Sequence, residues 1–203
     1  MRCLFINTSS FFIDVAIVDN NEVLFHRVEK IDKDMSSKIM PIIKAGFSNV
    51  NFELKNLDKI FVVNGPGSFT GVRVGVSVAK TIGWALNIDV IPVSSLEVLA
   101  TTNTSKKYNV GLIDARRGNV FAGVYDEELN SIIEDQLISL DKLKTIINDK
   151  DYETISEENN NIDVDIIKVI EKHKNDNPIN PHNLNPKYLK LTEAEEKLNG
   201  SNN

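Results

Sequence analysis

Short apolar runs broken by polar turns fill the first half of the chain. Cys3–Asn7, Phe11–Val18 and Glu22–Val28 read as three strands, and Asp19-Asn20-Asn21 is a turn by composition. The third run alternates, with Val23, Phe25 and Arg27 on one face and Leu24, His26 and Val28 on the other. Met35–Phe47 has helical spacing, with Ile39, Met40, Ile43 and Phe47 as its apolar stripe and Ser36 or Ser37 as cap. Pro41 predicts a kink or a late start, because an interior proline removes a backbone bond. Asn49–Asp58 is a polar loop. Ile60–Val63 then reads as a buried strand, Val72–Leu86 as a helix and Asp89–Val93 as a strand. Ser94-Ser95-Leu96-Glu97 opens another helix at capping-box spacing. After the polar linker Thr101–Lys107, Val110–Ile113 and Val120–Tyr125 predict strands. Asp141–Asn148 and Val164–His173 predict helices. Strands first, then alternation with helices, give a mixed α/β chain.

Asn64–Arg73 carries three glycines and a proline between a strand and a helix. A helix start attracts anions, but the spacing fits neither a P-loop nor the dinucleotide fingerprint. Val72 and Arg73 stand where a P-loop needs Lys-Ser/Thr, and Gly65, Gly67 and Gly71 are one residue too wide for Gly-x-Gly-x-x-Gly. The turn therefore reads first as one that aims the next helix. On that helix Gly71, Gly75, Ala79 and Gly83 recur every fourth residue as one narrow stripe. A glycine inside a helix costs about 1 kcal/mol against alanine, so the stripe requires a close neighbour. Two readings follow: a central core helix, or one with a face on its own sheet and another on a partner chain.

The chain has 203 residues, 41% hydrophobic and 26% charged, ample for one sizeable core or two small lobes. A single cysteine, Cys3, excludes an internal disulfide. The apolar N-terminus is interrupted by Asn7, Asp14 and Asp19, and no run approaches a membrane span, so a cytoplasmic, membrane-free protein is expected. The net charge is −6 and the lysines are scattered, unlike a chain that grips nucleic acid alone. His26, His173 and His182 are far apart, and no Cys or His pair sits at i, i+4, so no metal site is expected. Glu127-Glu128 and Glu157-Glu158 read as solvated, and Asp114 with Arg116 as an ion pair at a turn or a subunit contact. Glu157–Asp163 and Asn175–Asn185 are low-complexity loops.

Gly65-Pro66-Gly67-Ser68-Phe69-Thr70-Gly71-Val72-Arg73, with Ile6-Asn7-Thr8-Ser9 and Pro92-Val93-Ser94-Ser95-Leu96-Glu97, resembles the TsaB (YeaZ) family. Asp114-Ala115-Arg116-Arg117-Gly118 and Pro186-Lys187-Tyr188-Leu189-Lys190 resemble its later signatures. That family supplies the dimerisation subunit of the bacterial tRNA threonylcarbamoyladenosine synthase. The resemblance implies a two-lobed actin-like ATPase (ASKHA, ribonuclease H-like) fold. Residues 1–104 would be the larger lobe, 105–182 a smaller one, and 183–203 an arm returning to the first. It implies a non-catalytic subunit that binds and supports a TsaD-like catalytic chain. The complex transfers threonylcarbamoyl from an adenylate to N6 of the adenosine 3′ of the anticodon, in tRNAs reading codons that begin with A. A TsaE-like ATPase would join, tRNA would bind through the complex only, and the chain alone would form a homodimer through the same helices. The partner-binding residues implied are Ile39, Met40, Ile43, Phe47, Gly71, Val72, Gly75, Val76, Ala79 and Gly83. Thr8, Ser9, Gly67, Ser68 and Arg73 are the nucleotide candidates, with ATP or ADP expected only in the assembled complex and no metal or tightly bound cofactor.

TsaD carries a His-x-x-x-His pair where this chain has Ser95 and Leu99, which removes the metal ligands. TsaB-like chains usually keep Asp at the place of Asn7, so the departure here weakens ATP hydrolysis further. Two other readings stand beside the family's: a self-sufficient ATPase using Thr8, Ser9 and the Gly65–Gly71 loop, and a peptidase. The scattered cations predict weak tRNA retention by the chain alone in filter binding at ~0.15 M salt, since affinity for phosphate scales with the contacts made. Tight, steeply salt-dependent retention would reveal a basic surface that the fold assembles.

Overall fold

A computed structural model describes residues 1–31, 34–102, 106–148, 151–156 and 163–190. The first sheet holds β1 (Arg2–Asn7), β2 (Phe12–Asp19), β3 (Glu22–Lys30), β4 (Lys59–Val63) and β5 (Asp89–Val93) in the order β3-β2-β1-β4-β5. β1–β2–β3 form an antiparallel meander, and β4 and β5 continue parallel to β1. α1 (Met35–Ser48) crosses over from β3 to β4, and α2 (Phe69–Leu86) from β4 to β5. The second sheet, β8-β7-β6-β9, repeats this pattern. β6 (Tyr108–Asp114), β7 (Asn119–Tyr125) and β8 (Ser131–Ser139) form a meander, α4 (Leu140–Ile147) crosses, and β9 (Tyr152–Ser156) pairs parallel to β6. The chain is thus two β-β-β-α-β units, the two-lobed actin-like architecture.

Alternating burial builds the layers. Leu4, Ile6, Val15, Ile60 and Val62 face α1 and α2, while Cys3, Phe5, Ala16, Phe61 and Val63 face the other way. That second face is covered by α5 (Ile166–His173), through Ile166, Val169 and Ile170, and by Val98 of α3 (Ser95–Ala100). So residues between 105 and 182 contribute to the first sheet's packing as well as to the second sheet. α3 is shared: its Leu96, Leu99 and Ala100 pack on the second sheet with Ile113, Tyr125 and Ile155. All six of its residues are buried. Cys3 is a core thiol, pushed up to about 12 by burial.

The chain after α5 runs back along the first lobe. Ile179 bridges Val90, Leu184 is buried in the core under α1 and α2, and Lys187 N–H donates to the Asn64 carbonyl at 2.7 Å. Gly65 takes φ 118, and a Cβ there would sit 2.7 Å from the Lys187 carbonyl oxygen, so this crossing requires glycine.

α2 is seated by one buried hydroxyl. Thr8 Oγ1 donates to the Gly71 carbonyl at 2.7 Å and accepts the Gly75 N–H at 3.1 Å. It stands between two groups that pair with each other in an uninterrupted helix. A Cβ on Gly71 would collide with the Thr8 carbonyl oxygen, and one on Gly75 with Oγ1 itself. Ala79 is fully buried, and a Cβ on Gly83 would strike Val90. The small-residue stripe therefore faces the chain's own sheet, and the expectation of a partner-facing stripe is corrected.

Other expectations shift locally. α1 starts at Met35 and runs through Pro41, which lies on the exposed side where the freed Ser37 carbonyl meets solvent. Its start is made by Asp34, whose carbonyl accepts the Ser37 N–H and hydroxyl; Ser36 and Ser37 do not cap it. α2 begins three residues earlier than Val72, capped by Ser68 Oγ on the Gly71 N–H. At α3 Ser94 caps Leu96 N–H, but Glu97 leaves the box and pairs with His173. β8 and β9 were not foreseen. The pairing of Glu157-Glu158 lies outside the described residues.

Gly71→Ala and Gly75→Leu should each destabilise the fold by about 1–3 kcal/mol or more, the cost of overpacking a core with no room to yield. Ser77→Leu, on the exposed side of the same helix, should stay within about 0.5 kcal/mol. Urea unfolding of the three variants checks this, and equal losses would contradict the seating by Thr8.

Candidate functional site

Of the residues expected to bind a partner, most are spent in the core. Ile39, Ile43, Val72 and Val76 are at most 4% exposed and pack against β1, β2 and β4. Phe47 is partly buried beside Phe52. Met40 alone of that set is exposed, at 46%. What α1 and α2 leave outward is a different set: Met40, Pro41 and Lys44 on α1, and Phe69, Thr70, Arg73, Ser77 and Trp84 on α2. Two hollows mark this face. One of about 480 Å3 is lined by Ser36, Phe69, Arg73, Val74, Ser77 and Val78, and one of about 600 Å3 by Met40, Pro41, Lys44, Ala45 and Ser48. The amphipathic pattern holds both facts: the strongest apolar positions go inward, and the next residues round are left at the surface.

The arm edges this face. Lys80 Nζ donates to the His182 carbonyl at 2.9 Å, and Trp84 meets the His182 ring edge-on at 6.0 Å. Tyr188 stacks on Phe69 with centroids 5.1 Å apart, and Arg73 Nε donates to Tyr188 Oη at 2.7 Å.

The nucleotide candidates are brought together, but against one another. Thr8 is fully buried and its hydroxyl is used twice on α2. Ser9 is 1% exposed; its N–H and hydroxyl both donate to Asn7 Oδ1, and its carbonyl accepts the Ser68 N–H at 2.6 Å. A Cβ on Gly67 would collide with that Ser9 carbonyl. The two loops close on each other, and Arg73 turns away to Tyr188. In the chain by itself, Thr8, Ser9, Gly67 and Ser68 are thus held against one another, and Arg73 is held by Tyr188.

A second concavity, about 570 Å3, lies between the sheets and was not foreseen. Asp135 sits on its wall, accepting from Tyr125 Oη, from Ser94 Oγ at 2.6 Å and from Lys187 Nζ at 3.1 Å. Burial and the Asp135 charge push the Tyr125 phenol well above its usual range. Glu97 accepts from His173 Nε2 at 2.8 Å, while His173 Nδ1 meets Asp176 at 2.7 Å. Burial alone would lower the His173 pKa; the two carboxylates outweigh it and raise it. His26 is also raised, by its bond to Asp14. The exposed Asp114 carboxylate accepts the Arg116 backbone N–H at 2.9 Å, so a backbone bond rather than an ion pair holds that turn. Among the described residues, no three His, Cys, Asp or Glu side chains group as metal ligands. None of the described helices is long and apolar enough to cross a membrane.

The family model TsaD: tRNA N6-adenosine threonylcarbamoyltransferase matches residues 25–178. The tRNA threonylcarbamoyladenosine biosynthesis protein TsaB of Bacillus subtilis is 35% identical over 158 residues, covering 74% of this chain and 68% of that one. The chain belongs to the TsaB (YeaZ) family. Escherichia coli TsaB is 29% identical over 135 residues, 65% of this chain and 58% of its own length. YeaZ from Pseudomonas aeruginosa shares the fold, with a TM-score of 0.75 at 18% identity over 93% of this chain and 99% of that chain. The match thus spans about three fifths to two thirds of these curated relatives.

In this TsaB-family chain Ser95 and Leu99, the positions expected to answer to TsaD's histidine pair, make packing and turn contacts. Ser95 Oγ donates to the Pro66 carbonyl and so ties α3 to the glycine turn, while Leu99 is 5% exposed in the second sheet's core. Asn7 holds Ser9 through Oδ1 as an Asx turn.

A histidine whose folded pKa is raised contributes stability in full below its unfolded pKa of about 6.5, and that stability is lost as pH rises through the folded value. The chain should therefore be less stable at about pH 8.5 than at about pH 6. His173→Gln should lose about 1–2 kcal/mol at the lower pH and less at the higher, as expected when a charged hydrogen bond becomes a neutral one. Urea unfolding at both values checks this; a loss independent of pH would show that His173 is neutral throughout.

Proposed function

We propose that this chain serves threonylcarbamoyladenosine formation on tRNA as a non-catalytic subunit, docking a TsaD-like catalytic chain through the outer face of α1 and α2. The observation that carries this is the division of the two helices. Their apolar and glycine faces are spent on the first sheet, yet Met40 and Phe69 remain 46% and 42% exposed, each lining one of the two hollows, and Trp84 is 65% exposed further along α2. Isolated exposed apolar residues are ordinary; several on one helix pair, two of them lining hollows, favour a contact surface. The TsaD family model matches this chain over α1 to α5. A TsaD-like partner on the same frame would carry a matching helix pair, so the two can pair about a pseudo-twofold axis as a four-helix contact. Alone, the chain would use the same face for a homodimer.

Catalysis and metal would belong to the partner. Ser95 and Leu99 offer a hydroxyl and an isobutyl group in their places. ATP or ADP would bind in the assembled complex, where a TsaE-like ATPase joins, and tRNA would be held by the complex as a whole.

Co-expression with the TsaD-like protein of the same cell should give a complex that survives affinity purification. Met40→Asp and Ser77→Trp should each reduce capture by more than about tenfold, the scale of a lost hot spot. Both positions are exposed, so melting temperatures should stay within about 3 °C of the parent. Capture at the parent level by both variants would refute the docking face.

A further inference from the structure

We infer that Arg73 is the anion-reading anchor of the docking face, set in place by Tyr188 of the C-terminal arm, and that it takes a carboxylate from the partner's facing helices. This deepens the docking reading and rests on it.

The guanidinium of Arg73 is already ordered. Its Cζ lies 3.7 Å over the Phe69 ring, and Nε donates to Tyr188 Oη at 2.7 Å. Phe69 and Tyr188 are stacked on each other, 27° from parallel. A guanidinium held by a ring and one hydrogen bond keeps its two terminal nitrogens as a fork, the geometry that matches a carboxylate in two parallel bonds. Arg2 and Arg27, on the first sheet, differ. Arg2 pairs with Asp19 at 3.2 Å and Arg27 with Glu29 at 2.5 Å. Among the described residues no carboxylate pairs with Arg73, which is exposed beside the 480 Å3 hollow.

Charge points to the same occupant. α1 and α2 contain Lys38, Lys44, Arg73 and Lys80 and no Asp or Glu, in a chain whose net charge is −6. A face so sorted complements an acidic partner surface and repels a basic one. Phe69 and Tyr188 flank the guanidinium with apolar area, so closure by a partner helix would dry the pair and make it count for more than an exposed ion pair.

The arm is part of the device. Tyr188 follows Lys187, which is bonded to Asn64 and Asp135, so the arm's position on both sheets sets where the phenol meets Arg73. Tyr188→Phe removes that one bond and leaves the stack.

The test measures affinity for the co-expressed TsaD-like protein, without nucleotide, for four variants. Arg73→Glu should weaken it about thirtyfold or more. Arg73→Lys should be intermediate, because it keeps the charge and loses the fork. Tyr188→Phe should cost about three- to tenfold with an unchanged melting temperature, and keeps the test open if Arg73→Glu folds poorly. Ser77→Trp reports on docking itself. An Asp or Glu of the partner's facing helices changed to Arg should restore binding to Arg73→Glu. Loss with Ser77→Trp but parent-like binding by Arg73→Glu and Tyr188→Phe would overturn this assignment and leave docking intact. Parent-like binding by all four would overturn docking and this assignment together. A defect of Arg73→Glu that appears only when ATP and Mg2+ are added would make the anion a phosphate and overturn the carboxylate.

Discussion

The Thr8 hydroxyl, wedged between the Gly71 carbonyl and the Gly75 N–H, is the contact on which the rest of the first lobe turns. It brings the end of β1 against the backbone of α2, closer than any side chain on that helix would permit. Several features follow from that closeness. Glycine is required at two successive helical turns, at a propensity cost of about 1 kcal/mol each. The β1–β2 loop must lie on the glycine turn, with Ser9 accepting from Ser68. The two loops are thereby committed to each other. The helix is also fixed in rotation, so Arg73 and Ser77 must point outward.

The two β-β-β-α-β units share a plan but use their crossover helices differently. In the second unit α4 covers the outer face of its sheet with Leu143 and Ile147, and it has only eight residues. In the first, two long helices lie side by side and expose apolar side chains beyond the sheet they cover. Between the units α3 is buried on all sides, touching both sheets, so a change there would disturb two cores at once. Recognition is best carried where repacking is cheap, on the outer face of the first unit, while the shared centre is held by small and aliphatic residues.

Much of the framework was legible in the chain. β1 to β7 and α1 to α5 each fall on a run or cap that the chain's pattern marks. β8 was missed although Ile132-Ile133 and Leu137-Ile138 carry the signal. Its alternation is broken by Glu134, Asp135 and Gln136, and its pairing to β7 carries register shifts. β9 is five residues with one buried side chain. The candidate site was half legible. The pattern singled out α1 and α2, but periodicity shows which residues share a face and not which face meets the sheet. Thr8, 63 residues before Gly71 in the chain, decides that. The cluster of Ser94, Tyr125, Asp135 and Lys187 joins residues up to 93 positions apart, beyond any local pattern.

A basic helix face in an acidic chain invites a nucleic-acid reading, and the arrangement of its cations weighs against one. Phosphate binding gains from several mobile cations that release counterions together. Here Lys80 is bonded to the His182 carbonyl, and Arg73 is bonded to Tyr188 and stacked on Phe69. That leaves Lys38 and Lys44 on α1, six positions apart. Between these cations lie Met40, Phe69, Val74 and Val78, apolar area that a hydrated phosphate backbone cannot cover. Fixed cations set in apolar surroundings suit a surface that is dried by another protein. There a carboxylate would meet a guanidinium already oriented for it, and Arg73 would give up little conformational entropy on pairing.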